Sequence, residues 1–163
     1  MAHIRKILVP VDGSPPSIAA LSQAANLAED LGASVDVLHV HAPAGFEVGS
    51  TTGSAESEEE EHAFMDAVAE MKGRLGDRLT HRTVSGDPIH VILEAGAAAD
   101  LIVMGTHGRV GRLHAIIGSV AEAVVRNSPC PVLTVRMTDG EDESFKERVH
   151  GRPGVASRKP APG

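Results

Sequence analysis

Leu101-Ile102-Val103-Met104 followed by Gly105-Thr106-His107-Gly108 is a short apolar run that halts on a glycine-rich loop. Four consecutive apolar residues between Asp100 and Gly105 suit a strand covered on both faces, because no position is left for solvent. The loop runs on to Gly118-Ser119, and the spacing beyond it predicts a helix over 119–126. A buried strand, a glycine loop and a helix form one half of a parallel βα unit.

Working outward, the same grammar repeats. Residues 4–11 form another apolar run after their first charges, with Pro10 tolerable only near the strand's end, where a ladder donor is no longer needed. Asp12-Gly13-Ser14 then turns the chain, and Pro15 and Pro16 open a helix that carries Ile18, Leu21, Ala25 and Ala28 on one face and closes at Gly32. A second strand is predicted at 35–41 and a helix around Phe64, Val68, Met71 and Leu75. A third strand follows at 79–84. Asp87 and Pro88 then mark a helix start, with the helix running to about Ala99. Pro129-Cys130-Pro131 leads into a last strand at 132–136. Residues 43–61, with Glu56 and Glu58 to Glu61, read as a mobile acidic excursion entering the next helix, and 138–163 as a disordered tail after a domain spanning 1–137.

Strict β-α alternation predicts a single-domain α/β fold: an open five-stranded parallel sheet with helices on both faces. Right-handed crossovers, winding outward from strand 1 and restarting on its other side, give the order 3-2-1-4-5. Ligands of such sheets sit beyond the carboxyl ends of the strands, where the winding reverses. Here that reversal lies between strand 1, ending at Asp12, and strand 4, ending at Gly105.

Composition narrows the function. Lys and Arg total 15 against 22 Asp and Glu, a net charge of −7, which disfavours nonspecific binding to nucleic acid or anionic lipid. With three Phe and no Trp or Tyr, stacking platforms for single-stranded nucleic acid are absent. The single Cys130 excludes an internal disulfide and reads as a buried structural thiol. No apolar run reaches membrane-spanning length and the N-terminal residues lack a signal pattern, so a cytoplasmic location without membrane insertion is expected.

The chemistry gathers at the loop. Gly105 and Gly108 can take positive φ and let backbone amides approach a ligand, and such amides form an anion-binding concavity. Ser119-Val120-Ala121-Glu122 matches a capping box at the start of a helix whose free amides and dipole favour phosphate. The Ser119 hydroxyl is then expected to alternate between cap and ligand.

The spacing G-x2-G-x9-G-[ST] from Gly105 to Ser119 resembles the universal stress protein family in its ATP-binding branch. The likeness, over about residues 3–136, extends to Ile7-Leu8-Val9-Pro10-Val11-Asp12-Gly13-Ser14, Leu38-His39-Val40 and Ser128-Pro129-Cys130-Pro131-Val132-Leu133. It implies an adenine nucleotide alpha hydrolase-like fold and ATP carried with Mg²⁺ or Mn²⁺ through its phosphates. By the same resemblance, Asp12 and the backbone of Val40 face the adenine and ribose, beside Pro10 and Val11. Met104, Gly105, His107 and Gly108 cover the ribose and phosphates, and Gly118, Ser119 and Val120 hold the phosphate tail. It further implies a homodimer joined through the strand that begins at Val132 and ends at Arg136, and a regulatory protein partner. An apolar edge strand invites such pairing.

Plainer readings stand beside these. The glycines could merely shape a tight loop, and Asp12 could be only a turn-former. His39 and His41 share a strand face and could chelate a metal, but without a third ligand they read as a structural or half-exposed pair. His107 and His114 also suit solvated loop positions, and Arg109 and Arg112 either neutralise phosphate or face water. The Walker lysine is missing and no nucleophile–base pair stands out, which disfavours an enzyme; the resemblance implies a nucleotide-dependent switch or interaction module in the stress response. A slow ATPase or nucleotidyl-transfer enzyme and a nucleotide-free scaffold dimer remain the alternatives.

Overall fold

Five strands and four helices alternate through the described residues, 3–43, 58–106 and 117–137, of the computed structural model. They are β1 (Lys6–Val11), α1 (Pro15–Leu31), β2 (Ser34–His41), α2 (Glu58–Leu75), β3 (Leu79–Ser85), α3 (Pro88–Gly96), β4 (Leu101–Gly105), α4 (Ser119–Asn127) and β5 (Val132–Val135). A single 3-10 turn, Gly76–Arg78, joins α2 to β3. The strands form one sheet in the order β3-β2-β1-β4-β5, with every pairing parallel. The order expected from alternation and handedness is the order observed.

Two apolar layers flank the sheet. Ile7, Val9, Val35, Val37 and Val103 turn to one face, where Leu21, Ala24 and Ala28 of α1 and Phe64, Val68 and Met71 of α2 cover them. Leu8, Leu38, Ile102 and Met104 turn to the other, under Ile92 of α3 and Ala121 and Val124 of α4. Strict alternation of side chains along β1 and β4 feeds both layers at once, which is why those strands read as continuous apolar runs. Small residues on α1 let it lie close to the sheet, a role for which the many alanines are suited. Asp36, buried in β2, is paired rather than stranded: its carboxylate takes the Thr80 hydroxyl at 3.2 Å and the Arg82 guanidinium at 3.2 Å.

Element ends show where local chemistry overrides pattern. Asp87 caps α3, accepting from the Ile89 amide at 3.1 Å, as its place before Pro88 predicts. That helix ends at Gly96 instead of running to Ala99, because the amides of Ala97, Ala98 and Ala99 bond three residues back and tighten the last turn. The acidic residues Glu58, Glu59, Glu60 and Glu61, expected at the end of the excursion, form the first turn of α2, where the helix dipole favours them. Residues 44–57 and the tail from 138 lie outside the described residues.

At the foot of the sheet, Asp100 accepts the amides of Arg5 and Lys6, each at 2.9 Å. Those amides, Arg5 first, hold its carboxyl below the usual carboxylate range. A depressed folded-state pKa means stability that is present above the unfolded pKa and is lost as pH falls through the folded one. Asp100→Asn is therefore expected to lower the urea midpoint at neutral pH, with the gap from the unmodified protein closing in acid. A gap that stays constant from neutral pH down to acid counts against this role.

Candidate nucleotide site at the carboxyl end of the sheet

β1 and β4 pair only at Ile7 with Leu101 and Leu8 with Ile102, then run on without further pairing toward their carboxyl ends. Pro10, which has no N–H, lies on the stretch of β1 where that ladder has already stopped. On its other side β1 stays paired with β2 as far as Val11 and His39, while β2 continues against β3 to His41 and Ser85. Val40 thus has a strand neighbour on the β3 side and none recorded on the β1 side. The sheet is parted at its reversal point, the position at which this topology receives ligands.

Beyond β1 the chain turns sharply. Gly13 adopts φ 78°, a left-handed conformation costly for any residue with a Cβ. The turn folds Asp12 back on Ser14: Oδ1 of Asp12 accepts the Ser14 amide at 3.0 Å and also its hydroxyl. Asp12 is half-buried. Val11 and Met104 bury their side chains in opposite layers, so only their backbone is available to a ligand.

Across the gap, Thr106 closes the far side. Its amide donates to the Val135 carbonyl at 3.0 Å, and its carbonyl accepts the Gly118 amide at 2.5 Å. The second bond fastens the start of α4 to the end of β4, although the intervening residues 107–116 lie outside those described. His107, Gly108, Arg109, Arg112 and His114 fall within that segment.

Two expectations for this loop need correction. Gly118, not Ser119, is the N-cap of α4, and no side chain caps it. The first helical bond runs from the Glu122 amide to the Gly118 carbonyl at 2.8 Å, while the Glu122 carboxylate pairs with Arg126 at 2.9 Å. The S-x-x-E pattern thus serves a pair four residues apart instead of a capping box. The amides of Ser119, Val120 and Ala121 have no partner within the helix, so the terminus keeps its positive end without spending the exposed Ser119 hydroxyl on a cap.

Gly105 is the other correction. It is not among the glycines with positive φ and continues β4 opposite Val135. A Cβ built there would lie 2.9 Å from the Pro16 carbonyl carbon and 3.0 Å from its oxygen. Glycine is needed for the close approach of β4 to the first turn of α1. Contacts therefore run continuously from Asp12 through Ser14 and the first turn of α1 to Gly105, Thr106 and Gly118.

His39 is half-buried and His41 exposed. The rings of His39 and His41 lie 4.6 Å apart, and Phe64 stands 6.0 Å from His39 and 5.5 Å from His81. Among the described residues no group of three or more His, Cys, Asp or Glu could hold a metal ion. Cys130 is half-buried against the α3–α4 layer, its Sγ 3.8 Å from the Ser128 hydroxyl. No described helix is long and apolar enough to cross a membrane. Sequence reasoning took Ser14 only as part of the turn and missed its hydrogen bonds to Asp12.

Similarity to known proteins agrees with this architecture. The chain is 35% identical over 139 residues to Universal stress protein MJ0531 of Methanocaldococcus jannaschii, covering 81% of this chain and 82% of that relative. It also matches mycobacterial universal stress proteins about 34% identical, of whose length it spans 45%. Among solved structures, Universal stress protein UspA from Lactobacillus plantarum superposes with a TM-score of 0.69 at 26% identity, over 83% of this chain and all (100%) of that one. A universal stress protein crystallised in complex with cAMP has a TM-score of 0.60 at 24% identity, over 82% of this chain and 98% of that one, and shares the fold. A model of the universal stress protein family matches residues 3–136, and with that span, that fold and those relatives the chain belongs to the universal stress protein family.

Proposed function

We propose that this protein binds ATP where β1 and β4 part, and acts as a nucleotide-dependent switch or interaction module in the stress response. The observation that carries the reading is the Gly118-to-Thr106 hydrogen bond, which holds an uncapped helix terminus against the end of β4. The first-turn amides of α4 supply donors and a positive dipole end for the phosphate tail. Asp12 supplies hydrogen-bond acceptors for the nucleoside, and the unshared side of Val40 supplies backbone for its base. Glu122, the acidic residue in the first turn of α4, is already paired with Arg126, which softens its repulsion of an anion.

Magnesium or manganese would arrive with the phosphates and neutralise their charge, since no cluster of ligating side chains exists among the described residues. His107 and Gly108 belong to the same proposal through the family's glycine pattern. A homodimer through β5 also belongs to it: β5 is an edge strand, bonded to β4, with Leu133 41% exposed. The strand ends at Val135, so Arg136 lies just beyond it. A regulatory protein partner completes the proposal.

The test is direct. Purified protein is denatured and its extract chromatographed for nucleotide, and the stripped protein is titrated with Mg-ATP by calorimetry. ATP in the extract, or saturable binding, is expected. Stripped, refolded protein that takes up no Mg-ATP ends the proposal, and ADP with steady turnover replaces a switch by a slow ATPase.

A further inference from the structure

Ser14 stands at the N-cap of α1, where a serine hydroxyl ordinarily accepts a hydrogen bond from an amide of the first turn. It makes no such bond. Pro15 and Pro16 follow it, and neither has an N–H to offer. The hydroxyl donates to Oδ1 of Asp12, the oxygen that also takes the Ser14 amide. The serine is only 1% exposed, and its carbonyl accepts the Ser17 hydroxyl at 2.8 Å, so the turn is fastened from both sides.

Resting on the nucleotide reading above, we infer that Ser14 is a positioning residue for the ligand. Two donors from one residue, converging on one oxygen, fix both side-chain torsions of Asp12. The carboxylate then meets a hydrogen-bond donor of the nucleoside in a set orientation and loses little freedom on binding. That donor is an N–H or O–H group, from the exocyclic amine of the base or from a ribose hydroxyl.

A double-mutant cycle reads this out by calorimetry with Mg-ATP. Ser14→Ala keeps the backbone amide on Oδ1 and loses the hydroxyl, so affinity is expected to fall about fivefold. In an Asp12→Ala background the same change is expected to do nothing, since Ser14 acts through Asp12. Purine riboside triphosphate, which lacks the amine, and 2′-deoxy- and 3′-deoxy-ATP separate the two donor sources. The penalty for removing the correct donor shrinks in Ser14→Ala and is unchanged for the others. Ser14→Cys fills the same buried niche with a weak donor and is expected to show the same loss should the alanine variant unfold. Losses from Asp12→Ala and Ser14→Ala that add, or a Ser14→Ala protein that binds and discriminates as the unmodified one does, overturn the inference while leaving ATP binding intact. Unmodified protein that takes up no Mg-ATP overturns both proposals together.

Discussion

Gly118→Val is expected to weaken Mg-ATP binding by at least roughly 100-fold, or about 3 kcal/mol, with the fold preserved. Gly118 has φ −74° and ψ 159°, an extended conformation that valine adopts without strain. Its amide keeps the bond to Thr106, so the start of α4 stays where it is. An N-cap side chain, however, lies over the amides of the second and third helical residues. Two methyl groups there fill the space a phosphate must enter, and each charge-assisted bond lost is worth about 1.5–3 kcal/mol. Calorimetry and a thermal melt on the same sample separate the two effects. Gly118→Ala is expected to fall between valine and glycine. Equal affinity of the valine variant and the unmodified protein would remove the start of α4 from the site.

Gly105→Ala is expected to cost about 3 kcal/mol of stability, because overpacking against unyielding neighbours sits at the upper end of its usual range. The atoms in the way are the carbonyl carbon, oxygen and Cβ of Pro16, at 2.9–3.0 Å from the added methyl. None is the end of a flexible side chain. The proline ring limits how its backbone can turn, and moving it shifts the first turn of α1 together with Ser14 and Asp12. For a chain of this size the corresponding drop in melting temperature is about 10 °C. Chemical denaturation provides the free energy. A loss below about 0.5 kcal/mol would mean that the two elements slide apart freely, contrary to a rigid link across the gap.

Most of the architecture was legible because it rests on side-chain periodicity. Leu101 to Met104 are apolar on both faces since both faces are covered, and Phe64, Val68, Met71 and Leu75 recur at helical spacing since one stripe is buried. Handedness of the crossovers then left little choice of strand order. The site was less legible, because its details depend on competition between equivalent local partners. Ser119 and Glu122 fit a capping box, yet Arg126, one turn further on, holds the carboxylate instead. Ser14 looked like part of a turn, and only its three-dimensional neighbours show that its hydroxyl goes to Asp12. Gly105 read as a loop glycine able to take positive φ, whereas the close approach of Pro16, distant in sequence, explains it. Periodicity carries no information about such contacts.

The central place of β1 has a consequence for how the chain is made. β1 is synthesised well before β4, yet it must be flanked by β2 on one side and β4 on the other. Until Leu101 and Ile102 leave the ribosome, Ile7 and Leu8 line an unfinished border whose peptide groups have no mate. A nascent polypeptide arrested before that point therefore carries a sticky half-sheet, the species most prone to aggregate or to engage a chaperone.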